Sequence, residues 1–342
     1  GNYTLIQESP YAEKWTKPFL VQTSGRVYEP AYANNIVLLA SGTTQQAALR
    51  AYQVSTGNML WEDTTSTVWD SRTPLIMQEM AFYHSASRVK AVKATTGVAV
   101  WTQEVSTAAA PLAAFGDQLY LAKANSVIAL DLRSGSILWE TNGIGGDGCR
   151  ILPTARNVFV ANPDTGVVSA LDSYTGAEAW SNGYPDLAAS PIAAAYGNLY
   201  VFYSDGDYPS VAALNPATGA AIWSVQDPAD SGGLPEYGQV TNNNVYFYNS
   251  GSERIRILNA FNGNVIWSMH SAGVRDLVMN DQYLIGLRAA QLDIYSPKNV
   301  VYLSHVAEGT DPINQSIAIS TLFVLNNAET ADANATFKMY KS

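Results

Sequence analysis

Apolar and polar positions alternate with a period of two over many short stretches of the chain, which is the pattern of half-buried β-strands. Turn-forming residues such as Gly, Asn, Asp and Pro separate these stretches. One turn recurs: Thr-Gly, Ser-Gly or Asn-Gly joins two stretches, and a Trp follows the Gly four residues later. Gly supplies the positive φ that a tight turn requires. The pattern predicts an all-β protein built from hairpins.

This hairpin belongs to a repeat that occurs six times. The copies are AYQVSTGNMLW (51–61), AVKATTGVAVW (91–101), ALDLRSGSILW (129–139), ALDSYTGAEAW (170–180), ALNPATGAAIW (213–223) and ILNAFNGNVIW (257–267). Their Trp residues lie 38 to 44 residues apart. A period of about 40 to 50 residues in an all-strand chain is typical of the four-stranded blades of a β-propeller. We expect the Trp side chains to fill the space between neighbouring blades.

Two less regular units follow the sixth repeat. Residues 275–303 predict four strands and residues 315–340 predict three, and a strand around residues 13–19 with Trp15 in the Trp position completes the last unit. Donating this strand closes the ring and protects its edges. We therefore predict one all-β domain over residues 1–342, a propeller of eight four-stranded blades, or seven if the less regular segments merge. The predicted blades span residues 27–66, 73–105, 110–142, 151–183, 190–227, 237–271, 274–306, and 313–342 together with 11–19.

Composition narrows the partners and the compartment. The 342 residues are 47% hydrophobic and 14% charged, and 19 Lys and Arg against 29 Asp and Glu give a net charge of -10. Such a chain lacks the basic surface that nucleic acids require, and no apolar run approaches the ~18 residues of a membrane-spanning helix. Few lysines, many tyrosines and glycosylation sequons at Asn2, Asn314 and Asn334 indicate a glycoprotein that is secreted or belongs to the cell envelope.

The motif A-x-[DN]-x-x-T-G-x-x-x-W, best kept at residues 129–139, 170–180 and 213–223, resembles the pyrroloquinoline-quinone-type propeller repeat. The resemblance covers nearly the whole chain, and it implies the fold, because this motif builds blades and does not bind the quinone. The family includes quinoprotein alcohol dehydrogenases and a non-catalytic scaffold of outer-membrane barrel assembly. The dehydrogenases are longer and carry a vicinal cysteine pair, whereas this chain has Cys149 alone and no Cys-x-x-Cys-His motif. The resemblance is therefore closer to the scaffold, and no cofactor is expected.

Candidate site residues lie in the loops away from the Thr-Gly turns. Loops that join strands two and three, or one blade to the next, share a face in a propeller, and first strands line the central channel. The planar guanidinium of arginine donates paired hydrogen bonds to a carboxylate, and histidine is a proton acceptor near neutral pH. We predict no metal site. The candidate catalytic residues are His84, His270 and Tyr237, and the candidate ligand-binding residues are Arg26, Trp69, Arg72, Arg150, Arg275 and Arg288.

The leading functional hypothesis is an exported binding or interaction propeller whose loop face takes an anionic small molecule, a glycan or a protein partner. The alternative is an enzyme with its pocket at the channel mouth, either a uronate-directed polysaccharide lyase or glycosidase, or a cyclase of fungal secondary metabolism. A quinone-dependent dehydrogenase is less favoured. Fold alone does not choose among these functions, and the sequence leaves the ligand and the oligomeric state open.

Overall fold

The computed structural model describes sixteen stretches of the chain, and every structural statement below concerns them. They are residues 12–20, 26–27, 30–42, 47–64, 73–85, 87–105, 111–146, 148–226, 232–274, 276–279, 284–287, 291–295, 302–307, 313–318, 321–326 and 334–341. Their regular elements are all β-strands, arranged in seven four-stranded sheets and one five-stranded sheet. These stretches include no helix with the length and apolar character needed to cross a bilayer. The all-β prediction is confirmed.

The chain divides into two compact units, one made of Gly1–Ala108, Arg133–Gly135 and Val278–Ser342 and the other of Ala109–Leu132 and Ser136–Leu277. The first unit begins with β1 (Ala12–Leu20). Its next sheet contains β2 (Arg26–Val27), β3 (Ala31–Ala33), β4 (Ile36–Gly42), β5 (Ala47–Gln53) and β6 (Met59–Asp63). The following sheet contains β7 (Leu75–Met77), β8 (Met80–Ser85), β9 (Arg88–Lys93) and β10 (Ala99–Glu104).

Four sheets follow, each made of four consecutive strands. They are β11 (Ala113–Phe115), β12 (Gln118–Ala122), β13 (Ser126–Asp131) and β14 (Ile137–Asn142); β15 (Arg150–Pro153), β16 (Asn157–Asn162), β17 (Val167–Asp172) and β18 (Glu178–Gly183); β19 (Leu187–Ala195), β20 (Asn198–Asp205), β21 (Tyr208–Leu214) and β22 (Ala221–Gln226); and β23 (Pro235–Thr241), β24 (Asn244–Asn249), β25 (Arg254–Asn259) and β26 (Val265–His270).

Two sheets complete the described chain. The first contains β27 (Asp276–Met279), β28 (Leu284–Leu287), β29 (Gln291–Tyr295) and β30 (Tyr302–Ala307), and the second contains β31 (Ile313–Ala318), β32 (Thr321–Asn326) and β33 (Asn334–Lys341) with the N-terminal strand β1. In that last sheet β1 pairs antiparallel with β33, and Trp15 lies opposite Met339. Closure of the ring and the number of blades stay predictions.

The Thr-Gly turns have the conformation expected from the sequence. Gly176 has a φ of 72°, a region that a residue with a Cβ adopts only at a cost. Its amide donates to the Asp172 carbonyl at 2.9 Å. The Asp172 carboxylate accepts from the Tyr174 and Thr175 amides at 3.0 and 2.9 Å, and these bonds with Thr175, followed by that from Tyr174, lower the pKa of Asp172. The Asp of the motif therefore caps the turn, as predicted.

The repeated Trp joins each sheet to the next one. The Trp139 indole N–H donates to the Ser173 carbonyl at 3.0 Å, and its ring covers Gly176 so closely that a Cβ there would lie 2.6 Å from the ring. Trp15 in β1 makes the equivalent bond, to the Val54 carbonyl at 2.6 Å. The Trp residues are thus part of the packing between sheets, as the sequence predicts.

The core lies between neighbouring sheets. In the second unit, Tyr120, Val160 and Leu171 are buried together with Trp139 in one such layer, and the Tyr120 and Trp139 rings are 5.9 Å apart. Burying aromatic and branched side chains on both sides of every sheet supplies the main favourable free energy of folding.

Candidate functional site

The predicted catalytic residues occupy different environments. His84 lies in β8 and is only 1% exposed. His270 ends β26, and its side chain is 61% exposed, with Nε2 3.5 Å from Glu253 Oε2. Tyr237 lies in β23, is half-buried and has a φ of 55°, within the register shift between Glu236 and Gln239.

One pair of loop-face residues is brought together in the second unit. His270 lies opposite Arg254 in the register of β25 and β26, and Arg254 donates from Nη1 to Ser268 Oγ at 3.2 Å. With Glu253, these side chains form a partly exposed cluster that contains both charge signs.

The predicted ligand-binding residues are only partly described. Arg26 begins β2 and Arg150 begins β15, where it is half-buried. Each is thus the first residue of the first strand of its sheet. The other four predicted residues lie outside the described residues: Trp69, Arg72, Arg275 and Arg288. Convergence of these side chains on one opening stays a prediction.

The last strand of each repeat has a feature that the sequence pattern did not predict. Between Gly and Trp the register slips by one residue: Ala129 faces Trp139 and Leu130 faces Ile137, so Leu138 is the extra residue of a β-bulge. The bulge leaves two successive side chains in solvent. The same slip skips Leu60, Val100, Ala179, Ile222 and Ile266.

These positions are mostly large, apolar and exposed. Ile222 and Ile266 are each 53% exposed. We call the skipped residue and the residue two positions before the Trp the bulge pair; the apolar bulge pairs are Met59–Leu60, Ala99–Val100, Ile137–Leu138, Ala221–Ile222 and Val265–Ile266. Each lies in the strand at one end of its sheet's order. The signal in the sequence is the pair of neighbouring, mostly apolar residues before the Trp, which a strict period of two does not predict.

Charges on these same strands are paired within the chain. Arg50 lies 2.7 Å from Glu62, and Lys123 lies 2.8 Å from Glu140. The hydrogen bonds of Glu140 with Lys123 and Ser126 lower the pKa of its carboxyl. Because each carboxylate has a cation beside it, the strands carry little net charge next to their apolar residues.

Within the described stretches, no group of three His, Cys, Asp or Glu side chains is arranged to hold a metal ion. Cys149 is buried in the packing of the second unit, with Sγ 3.7 Å from the Ile144 carbonyl oxygen. The thiol therefore takes part in packing.

Solved structures share this arrangement along nearly the whole chain. BamB from Moraxella catarrhalis is 18% identical, with a TM-score of 0.73 and 98% of each chain covered. The computationally designed Ika8 protein is 14% identical, with a TM-score of 0.71, 94% of this chain and 98% of that chain covered. Sqt1 of Saccharomyces cerevisiae is 10% identical, with a TM-score of 0.72, 95% of this chain and 97% of that chain covered. In fold class the chain is a β-propeller protein.

A family model identifies the group more closely. The model described as outer membrane protein assembly factor BamB, of the PQQ repeat type, matches residues 11–148 and 164–303. The chain belongs to this family, and the resemblance stated from the repeat motif is confirmed. A search of curated proteins found no match.

Proposed function

We propose that the protein is a protein-interaction scaffold of the cell envelope. The observation that carries the proposal is its family: the matched model is that of an assembly factor, and the match spans most of the chain. A factor that assembles others works through exposed surface, and a large exposed apolar surface on a folded chain is typical of an interaction site. Each apolar bulge pair supplies an exposed apolar patch on the last strand of its own sheet.

The bulge pairs suit an extended partner segment. They lie on strands at the ends of their sheets, where an incoming strand pairs through main-chain hydrogen bonds and alternate side chains give specificity. Paired charges such as Arg50 with Glu62 flank the apolar residues without adding a net field. A partner strand with apolar residues on one side therefore fits this surface.

Position-dependent crosslinking tests the scaffold. A photo-crosslinking amino acid is placed at Val100 or Ile222 in bulge pairs, at Thr102 as a matched exposed polar position on β10, and at His270 on the predicted loop face. We expect one defined protein adduct from Val100 or Ile222 and none from Thr102. Equal adducts from all positions, or none, would contradict the proposal; adducts from His270 alone would return the interaction to the loop face.

A second candidate is the ligand-binding mouth that the sequence favours. The start of β15 at Arg150 and the partly exposed cluster of His270, Arg254 and Glu253 support an anionic small molecule or a uronate-bearing glycan. Calorimetry with galacturonate oligomers tests this candidate. We expect Arg150→Ala to weaken binding. The control is Arg88→Ala, in an exposed pair with Glu104, which should leave binding unchanged. Ultraviolet absorbance from unsaturated uronate would show that the same mouth is a lyase.

We also infer that the eight sheets are eight blades of one closed ring. The support is local: β1 pairs with β33, its Trp15 bonds to the Val54 carbonyl as the repeated Trp residues bond onward, and the register slips between Glu13 and Trp15 as it does in the repeats. Cysteines introduced at Trp15 and Met339, which face each other in register, would form a disulfide if β1 pairs with β33, the pairing on which closure depends, and absence of the disulfide would contradict closure.

A further inference from the structure

A cleft of about 320 Å³ lies wholly within the first unit, between β6 of one sheet and strands β8 to β10 of the next. Trp61, whose ring lies against Gly97, belongs to its apolar lining together with Ala91 and Val92. Asp63, Tyr83 and Lys90 form its charged and hydrogen-bonding lining. Binding pockets for small molecules hold about 300–1,000 Å³, so this one is sized for a single small ring and not for a long ligand.

The three polar side chains form one network. Asp63 Oδ2 accepts hydrogen bonds from the Tyr83 hydroxyl at 2.5 Å and from Lys90 Nζ at 3.1 Å, and Lys90 Nζ lies 5.9 Å from the centre of the Tyr83 ring. Tyr83 is 1% exposed, whereas the Lys90 and Asp63 side chains reach solvent, with 23% and 17% exposed. Burial, and then Asp63, raises the pKa of Tyr83, so its hydroxyl stays a donor at neutral pH.

The repeat itself shows that the fold does not need this network. Counted by strand register, Tyr83 and Lys90 face each other in β8 and β9. The matching facing pairs in the next four sheets are Leu121 with Ile128, Val160 with Ser169, Val201 with Ala212, and Phe247 with Arg256. The tyrosine position is apolar in every one of them, and in none do the three positions form a carboxylate, phenol and ammonium set.

The hydrogen bonds of Asp63 also differ from those that residues at the same position make in later repeats. Asp63 lies two residues after the repeated Trp, where Thr141 and Asn182 in later sheets donate to the Gly176 and Gly219 carbonyls at 2.6 and 2.8 Å. Those side chains hold the next turn, whereas Asp63 points its carboxylate at Tyr83 and Lys90. A half-buried ion pair is on average no more stabilising than apolar residues of the same size, so packing alone does not account for the network.

The chemistry of the lining selects a neutral, hydroxyl-rich ligand. Lys90 balances Asp63, and Arg50 balances Glu62 at 2.7 Å, so the cleft offers donors and acceptors with little net charge. The exposed Thr96 and Thr102 add hydroxyls at its border. A sugar ring presents hydroxyls at its edge and C–H groups on its faces, and the C–H faces pack on an aromatic ring such as that of Trp61. We propose that this cleft binds one neutral sugar residue of a glycan.

Titration with neutral monosaccharides tests the proposal. The methyl glycosides of glucose, galactose, mannose, fucose and N-acetylglucosamine are added to the full chain, and binding is followed by calorimetry and by tryptophan fluorescence. We expect at least one of them to bind, and Asp63→Asn and Lys90→Met each to weaken it at least ~10-fold. Glu104→Gln is the matched control: it removes a carboxylate from an exposed ion pair with Arg88 in the neighbouring strands, outside the cleft.

The outcomes decide the matter in either direction. Absence of binding across the five glycosides, or equal affinity of Asp63→Asn and Glu104→Gln, overturns the proposal. If Asp63→Asn does not fold, Thr102→Val removes an exposed hydroxyl from the lining without touching the network, and unchanged affinity then overturns it as well. The sugar site is independent of the scaffold function, because crosslinking at Val100 and titration at the cleft succeed or fail separately.

Discussion

Replacing Gly176 with Ala tests the packing that joins one sheet to the next. Two costs add at this position. The φ of 72° costs an L-residue about 1–2 kcal/mol, and the new Cβ would lie 2.6 Å from the Trp139 ring and 2.7 Å from Thr141 Oγ1. Forcing an extra methyl into a packed site costs about 1–3 kcal/mol. We expect Gly176→Ala to lower the free energy of unfolding by about 2–5 kcal/mol.

The second unit offers a control that separates the two costs. Gly116 has a φ of 60° in a strand-joining turn, and a Cβ there would meet nothing within 4 Å. Gly116→Ala should therefore cost only the backbone term of about 1–2 kcal/mol. Urea denaturation followed by tryptophan fluorescence measures both variants. Equal destabilisation of Gly176→Ala and Gly116→Ala would refute the reasoning, because the close approach of the Trp139 ring would then carry no cost.

Three more predictions follow from the same contacts. Trp139→Phe removes the indole bond to the Ser173 carbonyl at 3.0 Å and part of a buried ring, so thermal unfolding should show a loss of about 1–3 kcal/mol, and an unchanged melting temperature would contradict this. Lys123 lowers the pKa of Glu140; that ionised carboxylate therefore stabilises the fold above its ordinary pKa and loses this contribution as the pH falls through its lowered value. Glu140→Gln should accordingly cost a few tenths of a kcal/mol at pH 7 and nothing at pH 2, as measured by urea titrations at the two pH values. Deleting residues 1–20 exposes an edge of β33, so the truncated chain should form aggregates visible by light scattering, whereas a monodisperse truncated chain would argue against the pairing of the termini.

The turns and the position of the repeated Trp were predictable because they depend on residues that lie close together in the sequence. The Gly of each turn, the capping role of Asp172 and the place of Trp139 between sheets all depend on residues within one repeat of the chain and on the repeat period. The Gly and the Trp recur six times, so each copy supports the interpretation of the others. The fold class and the repeat family followed from them directly.

Features that depend on register were not predictable. A strict period of two places alternate residues on opposite sides, yet the bulge at Leu138 shifts the ladder by one and leaves Ile137 and Leu138 both in solvent. The seventh sheet shows the same slip: Ser304 faces Ile294, Tyr302 faces Tyr295 and Leu303 is skipped. The adjacent apolar residues before the Trp are the trace that the slip leaves in the sequence, and they do not by themselves say which residue is skipped.

The hydrogen-bonded network in the cleft shows a second limit of prediction from sequence, and the repeat offers a way to overcome it. Asp63, Tyr83 and Lys90 are unremarkable when each is taken alone, since an acid, a tyrosine and a lysine are common in strands; only the register of β8 with β9 and the position of β6 bring them together. Once the sheets are aligned, the repeat supplies an internal comparison in which the same backbone carries Leu121 and Ile128 at the matching positions. Features shared by all copies are explained by folding, and a combination of polar groups that occurs at one junction alone needs a further cause. In a repeat protein the exceptions to the repeat are therefore where specific binding is best sought, and the first junction of this chain contains the clearest exception in the described residues.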